Sequence, residues 1–218
     1  MSRKAKVMIV EDHPIFRKGL AQLINEEKDM EICGEAQDAI DAQKALGKVK
    51  PDLMIVDLTL KGLSGLDLIK EVHEQMPNLP VLVLSMHDES IYAERVLRAG
   101  ARGYVMKQEM TNKVIVAIRQ VLAGKMFFSE SVVESFLGMM TGKSAASVQN
   151  PIDTLSDREL EVFHLIGKGI GRKEIGDQLH VSIKTVGTYR EKIKQKLGIK
   201  SSPELVRRAV EWVQSQGE

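Results

Sequence analysis

Five times between residues 6 and 123, a short β-type run is followed by a longer amphipathic stretch, and no other feature constrains the fold as strongly. The runs are KVMIV (6–10), MEICGEA (30–36), LMIVDL (53–58), VLVLS (81–85) and GYVM (103–106). Several are apolar on both sides of the alternation, as strands covered on both faces must be. The amphipathic stretches lie at about 14–26, 39–47, 64–76, 89–99 and 112–123; in the first, Ile15, Leu20, Leu23 and Ile24 share one helical face. Strand then helix, repeated, predicts a parallel sheet with helices on both faces. Right-handed crossovers favour an α/β, flavodoxin-like, doubly wound sheet of five strands.

After Lys125 the rhythm changes. Residues 129–140 predict one more helix, with Val132, Val133, Phe136, Leu137 and Met140 on one side. TGKSAASVQNP (141–151) has no aromatic residue and reads as a linker. From Thr154 onward the pattern is helical, at about 156–168, 173–180, 183–197 and 202–214. The expected division is a first domain over 1–125, a connecting segment over 126–151 that includes the helix, and an all-α domain over 152–218.

Several classes are excluded. The longest apolar run is five residues, Val114 to Ile118, against the ~20 needed to span a bilayer. The N-terminal MSRKAKVMIVEDH turns acidic after one short apolar run and has no cleavage-site pattern. The single cysteine, Cys33, has no partner for an internal disulfide. A cytoplasmic protein with no membrane partner is expected.

In doubly wound sheets, chemistry collects at the C-terminal ends of the strands. There stand Glu11 and Asp12 after the first run, Asp57 at the third, Ser85 at the fourth and Lys107 after the fifth. Three neighbouring carboxylates repel unless a cation joins them. Mg²⁺, a hard ion that combines carboxylates with waters and phosphate oxygens, answers that need. An aspartate held beside it can attack phosphorus and form an aspartyl-phosphate. The ion and Lys107 would offset the charge on the phosphoryl oxygens, and Ser85 would donate a hydrogen bond to one of them. A single strand-end Asp is more often a turn former or helix cap; four strands carrying such residues together make that explanation inadequate. His13 and His87 flank the cluster and read as solvated loop histidines, and Cys33 and most of the 11 methionines as core.

With Glu11–Asp12, Asp57, Ser85 and GARGYVMK ending at Lys107, residues 5–123 resemble the receiver domain of two-component response regulators. The resemblance implies phosphoryl transfer to Asp57 from the phosphohistidine of a cognate sensor histidine kinase. It also implies Mg²⁺ held by Asp12 and Asp57 directly, by Glu11 through water and by the backbone carbonyl of Thr59. Ser85, Lys107 and Tyr104 become the phosphate-contacting and switch residues. The chain departs from the pattern at Lys61, where receivers usually carry Pro, and Gly62 is expected to supply the turn. A phosphatase of the haloacid dehalogenase type is a rival, but it needs a second Asp two residues after the first, and Thr59 stands there. A second rival is a receiver that serves only as a dimerisation module.

In the tail, Ser156 and Glu159 form a capping box. GKGIG (167–171) ends that helix, HVS (180–182) makes a tight connection, and Ser182 caps a helix with Val186, Tyr189 or Arg190, Ile193 and Leu197 facing inward. Short helix, turn and second helix describe a helix-turn-helix. LSDRELEV, KEI, KTVGTYR and KLGI resemble the LuxR-type output domain, and receiver followed by LuxR tail places the chain in the NarL/FixJ class. This implies a transcription regulator, not an enzyme beyond slow Mg-dependent self-phosphorylation and self-dephosphorylation. It would act as a homodimer on activation, on double-stranded DNA with paired half-sites. Expected DNA contacts are Lys184, Thr185, Thr188, Tyr189, Arg190, Glu191 and Lys192, with Arg172 and Lys173 on the preceding helix. The last helix, with Ser202 as expected cap and Pro203 following, would supply the dimer contacts Leu205, Ala209 and Val213. Gly187 stands where many relatives have Lys. A mid-helix Gly costs ~1 kcal/mol relative to Ala, so it signals either close backbone approach to DNA or simple tolerance.

The formal charge of +1 over 218 residues argues against a strongly basic nucleic-acid binder. Resolved along the chain, it does not. Within 168–200, nine basic residues face only Glu174, Asp177 and Glu191, a net of +6.

Overall fold

In a computed structural model, which describes residues 3–62, 64–130, 132–134 and 151–215, the chain forms two compact units, Met1–Met140 and Thr141–Glu218. The strands of the first are β1 (Ala5–Val10), β2 (Met30–Ala36), β3 (Leu53–Val56), β4 (Val81–Ser85) and β5 (Gly103–Met106). They pair in parallel in the order β2-β1-β3-β4-β5. Between and after them run α1 (Pro14–Asn25), α2 (Ala39–Val49), α3 (Gly65–Gln75), α4 (Glu89–Arg98) and α5 (Met110–Leu122). Asp38, Ser64 and Asp88 cap α2, α3 and α4 by accepting from backbone N–H groups of the first turn. The chain runs from β1 outward to β2 and then returns to β3 on the other side, so the topological switch point lies between β1 and β3.

Period-2 alternation explains the core. Val7, Ile9, Leu53, Ile55, Leu82, Leu84 and Val105 gather with Leu20 and Ile24 of α1 and Val114, Ile118 and Val121 of α5. Their sequence neighbours Met8, Val10, Met54, Val56 and Val83 point to the other face and are equally buried. Both faces are covered, as the apolar runs require.

Two details differ from the sequence expectation. β3 stops at Val56 rather than at residue 58, because Asp57 and Leu58 turn out of the ladder and the Gly65 N–H donates to the Leu58 carbonyl at 2.9 Å. Beyond Lys125, where no β signal was read, Phe127 bridges to Gly103 on the open edge of β5. Its carbonyl accepts from Tyr104 N–H at 2.8 Å and its N–H donates to Arg102 at 2.9 Å. These two bonds satisfy the edge of the sheet where β5 begins. Residues 130 and 132–134 are helical; the rest of the helix expected over 129–140, and residues 141–150 of the linker, lie outside the described residues.

The second unit contains α6 (Asp157–Gly167), α7 (Arg172–Gln178), α8 (Ile183–Leu197) and α9 (Ser202–Ser215). The capping box of Ser156 and Glu159 is present. Lys196 of α8 reaches back to it, with Nζ 2.6 Å from Glu159 Oε2 and 3.0 Å from the Thr154 carbonyl, which ties the end of α8 to the start of α6. Ser201, not Ser202, caps α9, its Oγ accepting from Glu204 N–H at 3.3 Å. The dimer contacts expected on α9 are corrected by the same helix. Leu205, Ala209 and Val213 are buried in the interior of this unit, where α9 packs against α6 so closely that a Cβ at Gly167 would lie 2.5 Å from the Ala209 carbonyl oxygen and from Val213 Cγ2. Their spacing is that of the stripe closing the domain's own core, and Val206 is the apolar residue that α9 exposes.

Candidate functional site

Because Glu11–Asp12 and Asp57 follow β1 and β3, they flank the switch point, and β4 and β5 carry Ser85 and Lys107 to the same edge. Glu11, Asp12, Asp57, Ser85, Tyr104 and Lys107 are all buried. The ammonium of Lys107 lies 2.8 Å from Asp57 Oδ2 and 2.6 Å from Glu11 Oε2. It also sits 4.4 Å from the ring centre of Phe16, over its face, a cation–π contact that no sequence motif announces. Thr59 N–H donates to Asp57 Oδ1 at 3.2 Å. Asp12 lies beside His13, whose Nδ1 is 2.9 Å from Asp12 Oδ1 and 3.0 Å from Glu11 Oε1.

The electrostatics follow from burial. Burial pushes the Asp57 carboxyl up to about 6, Lys107 opposing the rise and Glu11 adding to it. Burial works against the charged form of Lys107, but Asp57 and Glu11 outweigh it and hold the ammonium above its usual range. Two of the three buried carboxylates, Glu11 and Asp57, therefore share the Lys107 ammonium, and ligand atoms of Glu11, Asp12, His13 and Asp57 all lie within 4.8 Å of one another. This is an acidic cluster able to hold a metal ion.

The raised pKa of Asp57 has a measurable sign. The folded state keeps a proton that the unfolded chain, at 3.8, has lost. The contribution of Asp57 is most favourable below about pH 4 and falls as pH rises toward about 6. In the presence of a chelator, thermal unfolding near about pH 7.5 should show Asp57→Asn more stable than the wild type by on the order of 2 kcal/mol, converging near about pH 4. A wild type as stable as the variant at the higher pH would contradict the burial argument.

Around Asp57 the structure adds a residue that sequence reading set aside. His87, expected to be a solvated loop histidine, is half-buried. Its Nε2 lies 3.1 Å from Thr59 Oγ1, its N–H donates to Ser85 Oγ at 3.2 Å and its carbonyl accepts from the Tyr104 hydroxyl at 2.8 Å. Its ring stacks on Tyr92 at 4.6 Å. His87 thus links Thr59 of the loop after β3, Ser85 at the end of β4 and Tyr104 of β5, and burial raises the Tyr104 hydroxyl pKa so that it stays a donor. His13, by contrast, is largely exposed. Gly62 takes φ +80° and supplies the turn expected of it, while Lys61 is exposed.

In the second unit, α7 and α8 form the helix-turn-helix. Lys184, Thr188, Glu191 and Lys192 are exposed on α8, as are Arg172 and Lys173 at the start of α7; Thr185 and Tyr189 are half-buried. Of the two residues expected to face inward, Tyr189 or Arg190, it is Arg190 that is buried, which corrects its expected place among the DNA contacts. It follows Val186 by one turn and precedes Ile193 and Leu197 on the same face, and is 8% exposed. Burial, then the nearby Arg172, pull its guanidinium below the usual arginine range, with only Glu191 opposing them. Lys194 is ion-paired to Glu191 at 2.9 Å and Lys196 to Glu159, so these two cations have internal work.

Comparison with known proteins matches both units. Residues 7–119 match the response regulator receiver domain, and residues 153–209 match the bacterial regulatory proteins of the luxR family. The oxygen regulatory protein NreC of Staphylococcus carnosus (strain TM300) is 38% identical over 209 residues, covering 94% of this chain and 96% of that protein. Among solved structures, RcsB from Salmonella enterica serovar Typhimurium, bound to promoter rprA in the presence of phosphomimetic BeF3−, is 26% identical with a TM-score of 0.60, covering 94% of this chain and 98% of that one. A structure of two RcsB dimers bound to two parallel DNAs is 27% identical with a TM-score of 0.56, covering 98% and 99%.

Proposed function

Since this chain belongs to the two-component response regulators that join a receiver domain to a LuxR-type DNA-binding domain, we propose that Asp57 is its phosphoacceptor and that α8 reads its DNA. It is a phosphorylation-switched, DNA-binding regulator of transcription rather than an enzyme. The observation that carries the assignment of Asp57 is its buried carboxylate at the switch point, held by Lys107 at 2.8 Å.

The donor is the phosphohistidine of a cognate sensor kinase. An oxygen of Asp57 forms the new bond to phosphorus as the histidine N–P bond breaks, and the histidine takes up a proton. Asp12 and Asp57, with Glu11 through water and the Thr59 carbonyl, would hold Mg²⁺, which supplies positive charge to the phosphoryl oxygens when bound. Lys107 neutralises a further part of that charge, and Ser85 turns its hydroxyl from the His87 N–H toward the phosphoryl group. Tyr104 follows, because its hydroxyl is anchored to the His87 carbonyl and His87 moves with the β4–α4 loop. Slow self-phosphorylation from small donors and self-dephosphorylation use the same groups.

In the output domain, Lys184, Thr185, Thr188, Tyr189, Glu191 and Lys192, with Arg172 and Lys173, form the DNA-contacting set; Arg190 supports the helix from within. RcsB, whose structures hold dimers on DNA, supports a homodimer on activation, binding paired half-sites about one helical turn apart. Its contacts would use the outward side of α9 around Val206, which is 40% exposed. Among the described residues no helix is long and apolar enough to cross a membrane, and a DNA target is consistent with work in the cytoplasm.

The test is DNA affinity measured against salt, before and after incubation with Mg²⁺ and acetyl phosphate. Phosphorylation should tighten binding, and log affinity should fall with log salt at about −0.9 per phosphate contacted, a slope near −5 for about five contacts per bound unit. A flat salt dependence would overturn the role given to the basic residues.

A further inference from the structure

The first turns of the reading face of α8 present carbon where donors and acceptors are the usual means of reading a base; the acceptor Glu191, ion-paired to Lys194 at 2.9 Å, follows one turn beyond. Ile183, the first residue of the helix, is 53% exposed. One turn later Gly187 has no side chain, and a Cβ built there meets nothing within 4 Å. Among the described residues nothing accounts for this glycine. Its φ lies outside the left-handed region, no neighbour crowds it, and glycine is the least favourable helix residue short of proline. Thr188, beside it, turns its hydroxyl back to donate to the Lys184 carbonyl at 3.2 Å, which leaves its methyl group as the outward group. The Thr185 hydroxyl is engaged with Ser182 Oγ at 2.8 Å in the N-terminal cap. The surrounding cations, Lys184 and Lys192 with Arg172 and Lys173 across the turn, are exposed and draw the helix toward phosphates without reading bases.

We propose that Ile183, Gly187 and the Thr188 methyl group form an apolar notch that selects thymine through its 5-methyl group in the major groove of double-stranded DNA. The N-terminal residues of a recognition helix are those that reach base edges, and a thymine methyl is the apolar mark that edge carries there. A cytosine at the same place carries hydrogen where thymine carries the 5-methyl group, so the notch would go unfilled and its apolar contact would be lost. The missing side chain at Gly187 leaves the depth for the methyl group, and Ile183 forms the wall.

This inference rests on the DNA-binding reading above, and the experiment separates the two. The full chain, treated with Mg²⁺ and acetyl phosphate, selects duplexes from a random-sequence library, and thymines of the enriched duplex are then replaced singly by deoxyuridine. At the thymine facing the notch, loss of one methyl group should weaken binding about four-fold, as for one buried methylene, with the salt slope unchanged. Ile183→Ala should bind the thymine and uracil duplexes about equally. Gly187→Ala, which has room in the protein itself, should bind the enriched duplex several-fold more weakly while folding as well as the wild type. Equal affinity of the wild type for every uracil duplex overturns the notch and leaves DNA binding standing. Full methyl discrimination in Ile183→Ala overturns it too. A chain that enriches no sequence overturns DNA binding and the notch together.

Discussion

Asp57→Ala is expected to take up no phosphoryl group from acetyl phosphate and Mg²⁺ under conditions in which the wild type gains one by intact mass. Its DNA affinity should not respond to the donor, whereas that of the wild type should shift by about ten-fold, the middle of the range for coupled sites. The reason is geometric. Asp57 is the carboxylate placed at the switch point with one oxygen on Lys107 and the other on the Thr59 N–H. Phosphorylation adds about 1.5–2 negative charges where Lys107, Ser85 and Tyr104 can respond. Glu11 is the other carboxylate that touches Lys107. Labelling that persists in Asp57→Ala would move the acceptor there and sink the assignment, whereas labelling lost without loss of the DNA response would detach the switch from the pocket.

Gly65→Ala should be nearly as damaging, although residue 65 carries no chemistry. A Cβ there would lie 1.9 Å from the carbonyl oxygen of Asp57 and 2.7 Å from the Cα of Leu58, both backbone atoms with nowhere to go. Either α3 withdraws or the Asp57 loop shifts. The expected cost is about 3 kcal/mol, at the upper end for overpacking, with labelling at Asp57 reduced by at least about ten-fold because a displacement of about 1 Å is enough to spoil alignment. Gly19→Ala is the internal control. It lies in the interior of α1, where a Cβ meets nothing within 4 Å, so the same substitution should be neutral or stabilise by up to about 1 kcal/mol. Thermal or denaturant unfolding decides. Equal stability of the two variants would refute the close approach of α3 to the Asp57 loop.

The pocket was largely legible in the sequence because strand ends can be located by hydrophobic period alone. Once β1, β3, β4 and β5 were placed, Glu11, Asp12, Asp57, Ser85 and Lys107 had to share an edge, since a parallel sheet puts the C-terminal ends of its strands on one side. His87 and Phe16 were not legible. Each acts through contacts with residues distant in the chain, Thr59 and Tyr104 for one and Lys107 for the other, and neither follows a periodicity or spacing.

On the helical tail, period told which residues share a face but not what that face meets. Leu205, Ala209 and Val213 form a stripe that could equally join two molecules or close one domain, and contact with α6 decided for the second. Arg190 carries a charge that argues for the surface and a position that argues for the interior. The position prevailed because a helix fixes its side chains by rotation, and a long side chain can be covered by its neighbours. Even the near-neutral charge of +1 proved an average over a balanced receiver and a basic stretch around α8. The sequence alone determined the two architectures, the strand-end acids and the basic module, because local period and composition specify elements and their order. Only the tertiary structure decided what Gly65 touches, where Arg190 and the α9 stripe are buried and what His87 links, because these depend on contacts between segments that no local pattern encodes.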